Sequence, residues 1–237
     1  MNNEQRLLTA ENVAISFGDL EVFQGVSFEL NRGEALAIVG PNGSGKTVLF
    51  RAMLGFIPFQ GKITWASNVR IGYVPQKLMI DSQFPLSVRD FFNFKTDSTA
   101  VITEALNDVG ITGDHQHLER HVLNKSIGSL SGGQFQRIMI AWAIIDHPDV
   151  LLFDEPTSGI DIGGEETIYN LLHRLQTKNH LAIILISHDL NIVYKYANKV
   201  ICLNKEMICY GEPHSVLDPT SLSKLYGGEA KFYHHEH

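Results

Sequence analysis

The run Gly40-Pro41-Asn42-Gly43-Ser44-Gly45-Lys46-Thr47 sets glycines, a lysine and a hydroxyl in the spacing GxxxxGK[ST]. Glycines let a backbone curl until its N–H groups converge on phosphate oxygens, and a helix opening directly behind adds a favourable dipole. Lys46 would reach the β- and γ-phosphates of a nucleotide, and the Thr47 hydroxyl would ligate Mg²⁺. Val48 begins the helix-like stretch Val48-Leu-Phe-Arg-Ala-Met-Leu54, and the apolar residues 35–39 precede the loop. The motif therefore stands between a strand and a helix, as this chemistry requires. A ligand-free glycine turn could carry the same letters, and chance alone supplies the pattern in roughly one chain per hundred.

Such a site needs acids at the end of a buried strand. Val150-Leu-Leu-Phe-Asp154-Glu155 supplies two. Asp154 is placed to hold Mg²⁺ directly or through water, and Glu155 to orient or deprotonate a water aimed at the γ-phosphate. A second anion-binding turn is formed by Leu130-Ser131-Gly132-Gly133-Gln134, which opens onto the helix-like stretch from Phe135 to Ala143. Two phosphate turns in one chain are odd for a monomer with one nucleotide. A two-fold dimer resolves this, each turn closing on the nucleotide of the other copy.

The elements that must position these groups are legible as periods. Val13, Ile15 and Phe17 alternate, as do Val26, Phe28 and Leu30, with Gly18-Asp19 and Gly25 as breakers: a half-buried antiparallel pattern. The runs at 35–39, 150–153 and 182–186 suit parallel strands covered on both faces. Helices are expected where Ile102, Ala105, Leu106 and Val109 recur before Gly110, and where Ile168, Leu171, Leu172 and Leu175 recur. Residues 200–203 and 207–210 predict a terminal hairpin. The fold expected is α/β: a P-loop NTPase (RecA-like) core, an N-terminal antiparallel β subdomain and an α-helical subdomain inserted at about 77–147. One ATPase domain would span 1–220, followed by a 221–237 tail that is His-rich at 234–237.

With 237 residues and 44% apolar content, the chain can bury a sizeable core and is not a disordered segment. A net charge of −7 argues against a general nucleic-acid binder, which needs clustered Lys and Arg. No apolar run approaches the roughly 20 residues of a membrane span, and the first residues lack the basic-then-apolar layout expected of a signal peptide. Cys202 and Cys209 match neither a CxxC nor a zinc cluster, so two buried, reduced thiols are expected.

Taken together, the motifs and their order resemble the ATP-binding subunits of ABC transporters over nearly the whole chain. The resemblance implies that Gln76, in Tyr73-Val-Pro-Gln76, touches Mg²⁺ and senses a membrane partner. It implies that Asp161, in Ser158-Gly-Ile-Asp161, crosses a dimer interface, and that His188 contacts the γ-phosphate. Phe17 would stack on adenine, in a place where the family more often has Tyr; its alternation with Val13 and Ile15 also fits a core aromatic. Ser131, Gly132, Gly133 and Gln134 would complete the γ-phosphate shell of the opposite subunit. Lys46, Glu155 and His188 would be the catalytic set, with ATP and Mg²⁺ bound.

The chain looks most similar to ATPases of zinc/manganese-type metal-ion importers, through Trp142-Ala-Ile-Ile-Asp146 and the stretch from Gly159 to Tyr169. That likeness implies separate integral-membrane permease subunits and, indirectly, an extracytoplasmic metal-binding protein. It also implies a peripheral place on the cytoplasmic face of the inner membrane. Phe84, Pro85, Leu86, Phe91, Phe92 and Phe94 either pack the helical insertion or line a groove for the partner. The His234, His235, Glu236 and His237 tail could hold Zn²⁺ or remain solvated. A different cargo, or a soluble ABC-type ATPase of repair or translation, stays open, although the latter's coiled-coil insertion or tandem domains are not visible.

Overall fold

A computed structural model describes residues 5–76, 85–155 and 162–227. These form two compact units, one of residues up to 69 and from 182 onward, the other of residues 70–181.

In the first unit, β1 (Arg6–Phe17) and β2 (Leu20–Asn31) form an antiparallel hairpin, with β4 (Gln60–Trp65) on the outer side of β1. The alternation does what it should in the middle of each strand: Val13, Ile15, Val26, Phe28 and Leu30 are all buried. Each such side chain contributes about 1.5–3 kcal/mol when fully buried. Phe17 breaks the pattern. It sits at the turn, 50% exposed, and is no core aromatic. The apolar runs form β3 (Ala35–Val39) and β7 (Ala182–Ile186), parallel neighbours buried at every residue. The other flank of β3 is β8 (Lys199–Asn204), also parallel, paired through Val39 with Cys202.

From β8 the chain turns at Lys205 into β9 (Glu206–Gly211), giving the expected hairpin. Its tip joins β2, where Gln24 N–H donates to Lys205 O at 2.9 Å. Cys202 and Cys209 face each other across this hairpin and are joined by a disulfide. The expected pair of free thiols is therefore overturned: antiparallel register places the two residues opposite one another, with Cα atoms 4.8 Å apart. Cys202 is buried as expected, whereas Cys209 is half-buried. Among the described residues, four helices complete the unit: α1 (Lys46–Met53), α7 (Leu190–Tyr196), α8 (Pro213–Val216) and α9 (Pro219–Tyr226).

In the second unit, β5 (Ile71–Val74) lies parallel to β6 (Val150–Asp154), in register from Ile71–Val150 to Val74–Phe153. Helices follow: α2 (Val88–Asn93), α3 (Thr99–Asp108), α4 (His115–Leu118), α5 (Gly132–Ile144) and α6 (Ile162–Asn179). A π-turn covers Glu119–Leu123 and a 3₁₀ turn Ile127–Ser129. The periodic residues Ile102, Ala105, Leu106, Val109, Ile168, Leu171, Leu172 and Leu175 are all buried. Phe91 and Phe92 pack inside; Phe91 meets the Trp142 ring at 5.3 Å, and Trp142 Nε1–H donates to the Phe91 carbonyl. Phe94 is instead 73% exposed, and Phe84 lies outside the described residues. Among the described residues no helix is long and apolar enough to cross a membrane.

Candidate nucleotide site

The phosphate loop links β3 to α1, and its shape depends on two glycines. Gly40 has φ 157°, and a Cβ there would lie 2.1 Å from the Leu203 carbonyl oxygen of β8. At Gly45, with φ 97°, a Cβ would stand 2.7 Å from Phe23 Cδ1 and 2.9 Å from Val22 Cγ1 of β2. The loop is thus seated at one end on β8 and at the other on β2, strands that β9 joins. Gly45 is also the N-cap of α1 and offers no side-chain cap, so the helix's first N–H groups are kept for another acceptor.

Inside the loop, Lys46 is 6% exposed and its ammonium donates to Gly40 O and Pro41 O, both at 2.9 Å. Those are bonds an arriving phosphate can replace with charge-assisted ones. Ser44 Oγ is buried with no hydrogen-bond partner among the described residues, an unmet polar atom in the cradle itself. Asn42 and Gly43 are exposed, while Thr47 and Val48 are half-buried at the helix start. On the same unit, His188 stands exposed just past β7, after the buried Ser187.

The second unit carries the acids. Asp154 ends β6 and is 2% exposed. Glu155 follows in a left-handed conformation, φ 43°, one that non-glycine residues adopt at a cost and that clusters at functional positions. Its carboxylate accepts a hydrogen bond from the Gln76 side-chain amide, which stands two residues beyond the end of β5. Parallel pairing of β5 with β6 brings together these two residues from distant parts of the chain.

The Ser131 turn is built as a reciprocal cap. Ser131 Oγ accepts from Gln134 N–H at 3.3 Å, and Gln134 Oε1 accepts from Ser131 N–H at 3.2 Å. Ser131, Gly132 and Gln134 are exposed, so the N-terminus of α5 faces outward. Sequence reading took this segment as an anion turn and missed its capping role, for which the S-x-x-Q spacing was the available signal. The left-handed Glu155 and the Leu203 carbonyl seat had no sequence signal. Asp161 lies outside the described residues, as does the tail from residue 228.

A chain that carries both a strand–loop–helix phosphate cradle and an acid-ending strand has the parts of a P-loop ATPase, and the second capped turn narrows the class further. The family model described as ABC transporter matches residues 23–158. The zinc import ATP-binding protein ZnuC of Photorhabdus laumondii is 37% identical over 237 residues, covering 98% of this chain and 89% of that protein. The protein of the same name from Haemophilus influenzae is 35% identical, covering 99% and 87%. Among solved structures, an inward-facing metal-chelate type ABC transporter superposes with a TM-score of 0.81 at 32% identity, over 93% of this chain and 88% of that one. CbiO1 of Clostridium perfringens, part of the transporter complex cbiONQ, gives 0.76 at 27% identity, over 93% and 94%. The chain belongs to the ABC transporter family, as an ATP-binding, ATP-hydrolysing subunit.

Proposed function

We propose that the chain is the motor of a zinc importer, working as a pair of copies on separate membrane subunits. The observation that carries the cargo is a run of relatives from several species. Each is a zinc import ATP-binding protein, and those compared are 34–37% identical across 98–99% of this chain. Their names supply zinc; the site chemistry supplies the rest.

In this reading adenine stacks on Phe17, whose half-exposed ring has a face available, an interaction worth about 1–3 kcal/mol. The phosphates enter the 40–47 loop, where the Lys46 ammonium, Ser44 hydroxyl and backbone N–H groups converge. Thr47, Gln76 and Asp154 would hold Mg²⁺: a hydroxyl, an amide oxygen and a carboxylate are the hard oxygen donors this ion takes. Burial of Asp154 fits, since a carboxylate out of water requires hydrogen bonds or a cation. The ion, when bound, neutralises charge on the β- and γ-phosphates.

Ser131, Gly132, Gly133 and Gln134 of the second copy close the γ-phosphate shell. Closure excludes water other than the one that Glu155 and His188 orient for attack. Hydrolysis reopens the pair, and that motion is delivered to permease subunits at the cytoplasmic face of the membrane. An extracytoplasmic metal-binding protein presents the cargo.

Reconstitution in vesicles with the membrane subunits tests this. ATP-dependent Zn²⁺ uptake that disappears in Glu155→Gln is the expected result. Stimulation by another solute and not by zinc would overturn the cargo. Co-purification with ribosomes or DNA, with no membrane partner, would overturn the transport role.

A further inference from the structure

Two imidazoles on the second unit form a cluster that nothing in nucleotide chemistry uses. His117 lies on α4, and His121 lies in the π-turn that continues it. Their rings stand 4.7 Å apart between centroids and tilted by 40°, both exposed to solvent. No hydrogen bond to another side chain engages either ring among the described residues. The neighbouring polar groups are otherwise committed: Asp114 accepts from His117 N–H as the N-cap of α4, and Glu119 pairs with Arg89.

The backbone explains why the rings meet. On an ideal α-helix residues four apart are offset by about 40° around the axis. Here Asn124 N–H bonds to Glu119 O, the i→i+5 pattern of a wider turn, which removes part of that offset. Buried Leu118 and Leu123 fix the inner face of this segment, leaving the histidines outside. Gly113 completes the cradle, since a Cβ there would lie 2.6 Å from His117 Cδ2.

We infer that His117 and His121 form a chelating site for a divalent first-row transition ion of the zinc class, with water filling the remaining positions. Two imidazoles four apart on one helical face can ligate one ion together, and imidazole selects Zn²⁺, Ni²⁺ and Cu²⁺ over Mg²⁺ and Ca²⁺. The site rests on these residues alone and does not depend on which solute is transported. A bound ion clips α4 to the π-turn, a short segment of the second unit.

The test is calorimetric titration of Zn²⁺ into the full-length chain without nucleotide, beside His117→Gln, His121→Gln, the double variant and His115→Gln. The parent and His115→Gln should bind about one equivalent more than the double variant, whatever the C-terminal histidines take up. Each single variant should bind that equivalent roughly a hundredfold more weakly, because the second ligation within one molecule is lost. Hydrogen exchange provides an independent reading, with Zn²⁺ slowing amides 115–125 in the parent and not in the double variant. Circular dichroism of each variant confirms that it is folded. Equal stoichiometry in parent and double variant, or exchange over 115–125 indifferent to Zn²⁺, overturns the site.

Discussion

The side-chain amide of Gln76 donates a hydrogen bond to the carboxylate of Glu155, joining a residue two positions beyond β5 to the residue directly after β6. The proposed water-orienting acid is therefore held by a neutral partner, on a backbone in the left-handed region. Glu155→Gln keeps shape and removes the base. ATP should bind with near-parental affinity and trap a dimer, while kcat falls about 10²–10⁴-fold, the usual worth of a general base. Gln76→Ala should lower kcat by less, with little change in ATP Kd. Near-normal turnover in Glu155→Gln, measured by phosphate release, would remove Glu155 from its role.

Gly40→Ala directs a methyl group at the Leu203 carbonyl, and backbone cannot step aside as a flexible side chain would. The strain should cost about 1–3 kcal/mol in urea melts and abolish nucleotide binding by displacing the loop. Gly43→Ala is the comparison, because a Cβ there meets nothing within 4 Å. It should retain more stability, though its own positive φ still exacts a cost.

Ser131 has two roles that substitution can separate. Ser131→Ala removes the cap of α5 and should cost about 1 kcal/mol. Ser131→Asp restores a capping oxygen but brings negative charge to the place proposed for a γ-phosphate. It should melt near the parent and still lose ATPase activity; parental ATPase would exclude Ser131 from the nucleotide shell.

Asp90 completes the capping box of α2, whose N-cap is Ser87: the Ser87 hydroxyl and then the Ser87 backbone N–H donate to its carboxyl and hold it below the usual aspartate range. In the unfolded chain that carboxyl returns to the ordinary aspartate range. Between the two values the unfolded state binds more protons, so stability rises with pH there. The stabilisation is present above the ordinary value and is lost as pH falls through the folded one. Asp90→Asn should flatten this stretch of the acid stability profile measured by urea melts.

The Cys202–Cys209 bridge closes a short loop across the β8–β9 hairpin. A loop of this length constrains the unfolded chain by roughly 2 kcal/mol. Dithiothreitol should lower Tm, and the Cys202→Ser/Cys209→Ser variant should melt like the reduced protein with or without the reductant.

What was legible in the sequence had short range. The 40–47 loop and the β6 acids are contiguous words, and the buried β3, β6 and β7 are unbroken apolar runs. Alternation in β1 located Val13 and Ile15 correctly but could not tell that the strand ends at Phe17, which the hairpin turn lifts into solvent. The cysteines were misread for a related reason. Local context marked each as apolar, whereas their bond follows from the register of two strands. Gln76 and Glu155 show the same limit, since parallel pairing brings them together and no local pattern records it.

The capped turn at Ser131 has a consequence for reversibility. In the free chain the N–H of Gln134 is occupied by the Ser131 hydroxyl, so this donor at the end of α5 is not left bare. A phosphate oxygen arriving from another copy would exchange places with that hydroxyl, and the total of hydrogen bonds would hardly change. In the proposed shell the side chain would be a placeholder for the ligand. An interface made by such exchange stores little energy in its polar contacts, and a clamp that must open on every cycle requires that economy.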